Sequence, residues 1–445
     1  MKKLALVLTF AAIASLATIA TSGVARAEIG TADQVPAATL LLPYFEVDLA
    51  NPAGVSTSFW VNNASSSAAV AHVTLWTDEG IPTFNFDIYL TGYDAEKVDL
   101  RSLFDTGIVP ITADAGSDPT DTISPKGPLS QDINLVAGSA PCGGVYTSPE
   151  LTDAELRHIR TAHTGRRSAV LNGCASAQYG DLIARGYVTV DSVSTCTVVN
   201  PSDPSYFTGI ADSRNILWGD YTIQNDANHT SAGSSLVPIE ACDTPSVGNG
   251  AGLCPFASGD YTFYGRLNGF TATDGREPLA TTFAIRYSNG GTFDASDLLV
   301  WRDPKLPPTG ANGKHKCTKH VGWFPLLQGD AVAFDETENP TDLCFLRDNV
   351  PPVVGGTQKC FPLATQRVST TAGNPLGYPL SPPSQFGWFY LNLNHALPTS
   401  DPEPDVAQAW VEATQSASGR FSIGYKAIAL DNADKTSPGG QVLLP

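Results

Sequence analysis

VSTSFWVNN (residues 55–63), AHVTLWTDEG (71–80) and FNFDIYLTG (84–92) carry the clearest strand rhythm in the chain. Thr57, Phe59 and Val61 alternate with Ser58, Trp60 and Asn62. Val73 and Leu75 alternate with His72, Thr74 and Trp76, and Phe84, Phe86, Ile88 and Leu90 with Asn85, Asp87 and Tyr89. A period of two puts one set on a buried face and the other on the opposite face. Asn62-Asn63, Asp78-Glu79-Gly80 and Thr91-Gly92 supply residues that tolerate turn dihedrals. The stretch therefore predicts an antiparallel β-sandwich.

Working outward, Leu40 to Leu42 and Tyr44 to Val47 extend the pattern toward the N-terminus, with Pro43 marking an edge position or a bulge. Lys97 to Phe104 reads as the last strand of this group. Val109 to Gly144 is rich in Gly, Pro, Ser and Asp and reads as a long loop or linker. Beyond it one helix is signalled over 153–164. Thr152 and Glu155 form a capping box, Leu151 and Leu156 a hydrophobic staple, and Gly165 a left-handed stop. Tyr187–Val190, Ile216–Ile223, Tyr261–Leu267 and Thr281–Ser288 suit half-buried strands. Asn289-Gly290-Gly291 should turn the last of these back toward Leu298–Arg302. Two Pro- and Gly-rich passages follow, and the chain ends in β again: Phe386–Leu393, then a hairpin of Trp410–Thr414 and Phe421–Leu430.

The predicted organisation is a signal peptide over 1–27, an N-terminal sandwich over 28–108, a linker over 109–144, a β-rich middle domain over 145–303 and a loop-rich β region over 304–445. The strand pattern over Pro36 to Phe104 resembles the immunoglobulin-like sandwiches common in bacterial surface proteins. That resemblance rests on pattern alone and implies a fold, with no residues or activity attached. The fold class expected is mainly β: an antiparallel immunoglobulin-like sandwich, then a disulfide-stabilised, loop-rich β region with one short helix.

The first residues read as a targeting segment. Lys2 and Lys3 precede the apolar run Leu4–Ala20, and Ala25-Arg26-Ala27 is a small-residue cleavage site. Export to the periplasm, the cell surface or the medium is the expectation. No further run approaches the length of a membrane span. Removal of Lys2, Lys3 and Arg26 takes the formal net charge from −18 to −21, which disfavours nucleic acid as a partner because phosphates demand clustered Lys and Arg. In an exported chain Cys142, Cys174, Cys196, Cys242, Cys254, Cys317, Cys344 and Cys360 read as disulfides. They fall into groups of five and three, both odd. Full pairing therefore needs at least one bridge between the groups.

Several clusters invite chemistry. Arg157, His158, Arg160, His163, Arg166 and Arg167 gather toward the C-terminal end of the predicted helix, where cations complement the dipole more readily than they bind an anion. His315, Cys317 and His320 hold soft ligands among Lys314, Lys316 and Lys319, but Cys317 reads first as a disulfide partner. Asp114, Asp118 and Asp121, and later Asp335, Glu336, Glu338 and Asp342, offer carboxylates for calcium without the EF-hand spacing. Asp274, Arg276 and Glu277 place two carboxylates near a strand, the material of a glycosidase pair. Trp60 and Trp76 fall opposite the apparent core. They either face solvent, as an aromatic platform for a glycan, or lie under a second layer.

No catalytic residue and no cofactor is assigned from these patterns. The sequence favours an exported, non-enzymatic protein with a structural or binding role, its partner a surface glycan or protein. The alternative is a secreted hydrolase of an extracellular polymer such as a polysaccharide. Mass spectrometry of the exported protein should give an N-terminus at or next to Glu28 and no alkylated thiol without reductant. Recovery of Met1, or two or more free thiols, contradicts the reading and reopens Cys317 with its two histidines as a metal site.

Overall fold

The computed structural model describes residues 35–110, 151–203, 205–242, 258, 261–290, 295–303, 326, 329–343, 353–354, 357–358, 363–370, 385–393, 407–417 and 422–430. The chain is mainly β, in several antiparallel sheets. Strands β1 (Thr39–Asp48), β2 (Val55–Asn63), β3 (Ala69–Thr77), β4 (Pro82–Leu90), β5 (Ala95–Asp99), β6 (Ile183–Val193), β7 (Leu217–Asn225), β8 (Thr230–Ser235) and β9 (Val237–Ile239) build the first pair of sheets. The first sheet has the order β4-β3-β6-β1-β9, and the second β5-β2-β7-β8. Leu40, Val73, Ile88 and Val190 of the first meet Phe59, Val61 and Tyr221 of the second in one core.

The alternation read over residues 55–92 holds, with Phe59, Val61, Val73 and Leu75 inside. It does not close a sandwich within 28–108, however. β6 sits between β1 and β3, pairing Val190 with Leu40 on one side and with Val73 on the other. The central strand of the first sheet thus arrives from beyond residue 150. Burying Val188 and Val190 contributes roughly 1.5–3 kcal/mol each, and a chain ending at the linker forgoes it.

Pro43 lies at a bulge, as expected, but β1 is not an edge strand: over Thr39–Leu41 it is flanked by β6 and β9. The register shift between Leu42 and Phe45 has a clear consequence. Leu40 and Leu42 face the core before it, Phe45 and Val47 after it. Paired regularly, without the bulge, these same residues would turn Glu46 into the core, because a one-residue slip reverses every face.

Lys97–Phe104, expected as a strand, is strand only to Asp99. Helix α1 (Leu100–Thr106) follows, because Asp99 accepts hydrogen bonds from the Arg101 and Ser102 amides and Gly107 closes the helix at φ 75°. Leu100, Leu103 and Phe104 sit at helical spacing and are buried together. Helix α2 (Asp153–His163) carries the predicted capping box. A short helix α3 (Tyr206–Gly209) buries Tyr206 and Phe207.

The second pair of sheets takes β10 (Thr282–Ser288), β11 (Ala295–Arg302), β12 (Ala331–Asp335) and β13 (Pro340–Asp342). After a separate two-stranded ribbon, β14 (Val353–Val354) and β15 (Thr357–Gln358), come β16 (Thr365–Ser369), β17 (Phe386–Asn392), β18 (Ala409–Ser416), β19 (Ser422–Lys426) and β20 (Ile428–Ala429). The third sheet is β16-β11-β18-β19 and the fourth β13-β12-β17-β10-β20. Phe283, Ile285, Phe389 and Leu391 of the fourth meet Leu298, Val300 and Val411 of the third. The hairpin expected through Asn289-Gly290-Gly291 is not formed, since β10 and β11 lie in different sheets. The C-terminal hairpin is present as β18 with β19. The strand expected at Tyr261–Leu267 is a succession of turns instead, with Gly269, Phe270 and Ala272 all at positive φ.

The two pairs share a third core. Leu41, Trp76 and Tyr187 lie on the outward face of the first sheet, Trp301 and Trp410 on that of the third, with Phe263 and Tyr264 between. Trp76 stacks on Tyr187 at 5.7 Å, and Tyr187 meets Trp301 edge-on at 5.9 Å. Of the eight cysteines, Cys174, Cys196 and Cys242 are described; none is a free thiol, and no bridge joins two of them. The disulfide stabilisation expected of the later regions is therefore not seen between described residues. Limited proteolysis should cut between Val109 and Gly144 while the fragments stay together on native sizing. A Glu28–Thr106 fragment should be insoluble. A soluble, monomeric N-terminal piece contradicts this topology.

Candidate functional site

Asp274 is buried, and the 261–274 turns wrap around it: Thr262 Oγ1 donates at 2.6 Å, the Tyr264 amide at 2.9 Å and Asn268 Nδ2 at 2.6 Å. Burial pushes its carboxyl above the ordinary range, against those hydrogen bonds. Arg276 turns away toward the first sheet. It donates to the Asp274 carbonyl at 2.9 Å and to Thr39, and its Nε lies 3.6 Å from Asp191. Asp191 also accepts from Thr39 Oγ1 at 2.5 Å, Tyr206 at 2.9 Å and Tyr264 at 2.9 Å. Full burial behind three donors leaves this carboxylate no exposed edge for a substrate. Glu277 is half-buried, and its amide donates to the Glu240 carbonyl at 3.0 Å. The group is a structural clamp between β1, β6, α3 and the 261–276 segment.

The basic helix is likewise structural in its described contacts. Arg160 donates to the Phe104 and Asp105 carbonyls at 2.5 and 2.7 Å, capping the C-terminal end of α1. His158 and His163, five residues apart, both reach Thr83. His158 Nε2 donates to its carbonyl at 3.1 Å, and His163 Nε2 accepts from its hydroxyl at 2.7 Å. His163 Nδ1 donates to the Arg185 carbonyl at 2.8 Å, so the ring is a neutral tautomer. Asp335 closes the β12–β13 turn, accepting from the Thr337 and Asn339 amides at 2.8 and 2.9 Å, which holds its carboxyl down at about 2. His315, Cys317, His320, Asp114, Asp118 and Asp121 lie outside the described residues. Among the described residues no group of three His, Cys, Asp or Glu has metal-site geometry, and no helix is long and apolar enough to cross a membrane.

The tryptophans separate. Trp76 is buried in the third core and donates to Thr189 Oγ1 at 2.8 Å. Trp60 lies on the other sheet and faces outward. β2 pairs Trp60 with Asp220 and Asn62 with Trp218 of β7, which puts both indoles on one face as diagonal neighbours. Such positions are about 7–8 Å apart, within reach of one extended ligand. Trp218 is 48% exposed, an unusual state for so large an apolar side chain. Lys97, paired with Trp60 from β5, sits 5.5 Å from the centre of its ring. Asp220 and Thr222 complete a polar surround. Sequence reasoning missed Trp218. The signal was there: Leu217, Gly219 and Tyr221 alternate with Trp218, Asp220 and Thr222. No family model, curated protein or solved structure matches the chain.

Burial drives the His163 imidazole down to about 3, from an ordinary value near 6.5. The folded state therefore binds fewer protons than the unfolded one between those values. The contribution is complete above pH about 6.5 and is lost as pH falls toward 3, with a slope of about 1.4 kcal/mol per unit. His163→Gln should flatten the acid limb of the stability curve in that window. An unchanged slope in urea titrations across it contradicts the assignment.

Proposed function

We propose that this is an exported, non-enzymatic binding protein of the periplasm, cell surface or medium, and that the outward face of the β5-β2-β7-β8 sheet holds an extended glycan. The observation that carries the reading is the exposure of Trp218 on the same face as Trp60. Sugar rings present flat C–H faces that pack on indoles while their hydroxyls bond to groups such as Asp220, Thr222 and Asn62. Amphipathic aromatic rings suit such a half-wet surface. The immunoglobulin-like character expected of the N-terminal strands is part of this proposal, supported by two facing antiparallel sheets. The hydrolase alternative needs Asp274 and Glu277 to converge in a pocket. The burial of Asp274 and its three hydrogen bonds argue against it.

Lys97 covers one side of Trp60, an exposed cation–π contact worth about 0.5–1 kcal/mol that a sugar must displace. Pull-down on insoluble chitin, cellulose and peptidoglycan tests the reading. The protein should be retained on one of them, and Trp218→Ala and Trp60→Ala should each weaken retention about tenfold, a loss typical of an aromatic anchor. Lys97→Ala should leave it equal or stronger. Retention unchanged in the Trp60/Trp218 double variant, or absent on all three, contradicts the proposal.

A further inference from the structure

A cleft of about 230 Å³ lies where the end of the first core opens against the third sheet. Its two walls follow from strand register. On one, Asn225 pairs with both Val55 and Thr230, and Ile223 pairs with Ala232, so these share the face that carries Tyr221 into the core. On the other, Asp297 pairs with Thr414, Leu299 with Arg367, and Ser416 with Ser422, all turned away from the fourth sheet. Clefts between packed units are a preferred place for small ligands.

The chemistry of the lining is selective. Among the described residues Arg367 is its one basic group, and its charge is paired with two carboxylates through three of its five N–H groups: Nε lies 3.0 Å from Asp297 Oδ2, Nη2 reaches the same oxygen, and Nη1 donates to Glu46 at 3.0 Å. An anion entering the cleft therefore meets a cation already balanced by two carboxylates, and it meets Asp297. Asp297 Oδ1, in contrast, accepts no hydrogen bond among the described residues. It stands beside the half-exposed hydroxyls of Thr414 and Ser416 and across from Asn225 and Thr230. Val55, Ile223 and Leu299 form an aliphatic patch among these polar groups, and no aromatic ring of the described residues lines the cleft. A patch for C–H groups inside a ring of amide, hydroxyl and carboxylate acceptors and donors is the complement of a polyol. The volume is below the range for drug-sized ligands. We infer that this cleft binds one neutral sugar residue, with a sugar hydroxyl donating to Asp297 Oδ1 and a C–H face against Ile223 and Leu299.

The site is separate from the tryptophan face and does not depend on it. Isothermal titration of the full chain with glucose, galactose and N-acetylglucosamine tests it, with inorganic phosphate as the anionic probe. At least one neutral sugar should bind and raise the melting temperature, since a ligand held by both walls favours the folded state. Phosphate should not bind. Thr414→Trp, which fills the cleft, should abolish binding, and Trp218→Ala should leave it unchanged. Should Thr414→Trp fail to fold, the gentler Thr230→Val with Thr414→Val should weaken binding about tenfold by removing two hydroxyls. No heat with any of the three sugars at tens of millimolar overturns the inference. So does binding that survives the Thr414 variants, or that disappears with Trp218.

Discussion

The Glu46 carboxylate is where the two halves of the molecule are fixed to each other. It is 3% exposed, on β1, beside the central strand of the first sheet, and it accepts from Tyr44 at 2.7 Å. Arg367 of the third sheet donates to it at 3.0 Å, and Arg185 of β6 lies 3.7 Å away. Arg185 is in turn held by Asp181 at 2.8 Å, and its guanidinium lies over the Tyr179 ring. Taking these charges out of water is costly, and the cost is recovered only with every partner in place. Removal of either partner of such a pair costs about 3–5 kcal/mol, whereas apolar replacement of the whole group can be neutral. Its effect is therefore best understood as specificity of docking rather than stability.

That docking depends on the bulge at Pro43. The extra residue turns Glu46 outward, away from the first core, while Phe45 and Val47 continue to fill it. The same irregularity leaves the Pro43 carbonyl free to accept from Thr365 Oγ1 at 2.5 Å, and the Thr365 amide donates to Asp78 at 3.2 Å. A second set of contacts lies where the edge strands β8 and β19 meet. There a side chain on Gly424 would stand 2.7 Å from the Gly233 carbonyl, so glycine permits the approach. Tyr221 crosses to Glu412, which also accepts from Trp410 at 2.8 Å. Both the tryptophan face and the polar cleft are consequences of this arrangement. The first is the sheet surface that docking leaves uncovered, and the second is the gap it leaves inside.

Local signals were legible in the sequence and distant pairings were not. Phe59, Val61, Val73 and Leu75 lie inside as their alternation requires, and Thr152 with Glu155 begins the helix its capping box announces. Nothing near Tyr187 says that its strand will slot between residues 39–48 and 69–77, because pairing partners over such separations leave no short-range mark. The misread strand at Lys97–Phe104 had its own correction in view, since Asp99 before Leu100, Leu103 and Phe104 is a capped helical spacing. Tyr261–Leu267 has strand composition, yet its backbone is spent on the Asp274 carboxylate. Of the tryptophan face, Trp60 was legible as an outward residue. Trp76, opposite the core as its rhythm requires, lies under the second layer instead, because the outward faces of two sheets share one rhythm whether or not a further layer covers them.

The central claim is that the two pairs of sheets form one cooperative unit through the third core and the Glu46 cluster. Differential scanning calorimetry of the protein tests it most directly. The account predicts a single transition whose calorimetric and van't Hoff enthalpies agree, shifted down but still single in Arg367→Met. Two resolved transitions in the unaltered protein, one for each pair of sheets, would contradict it.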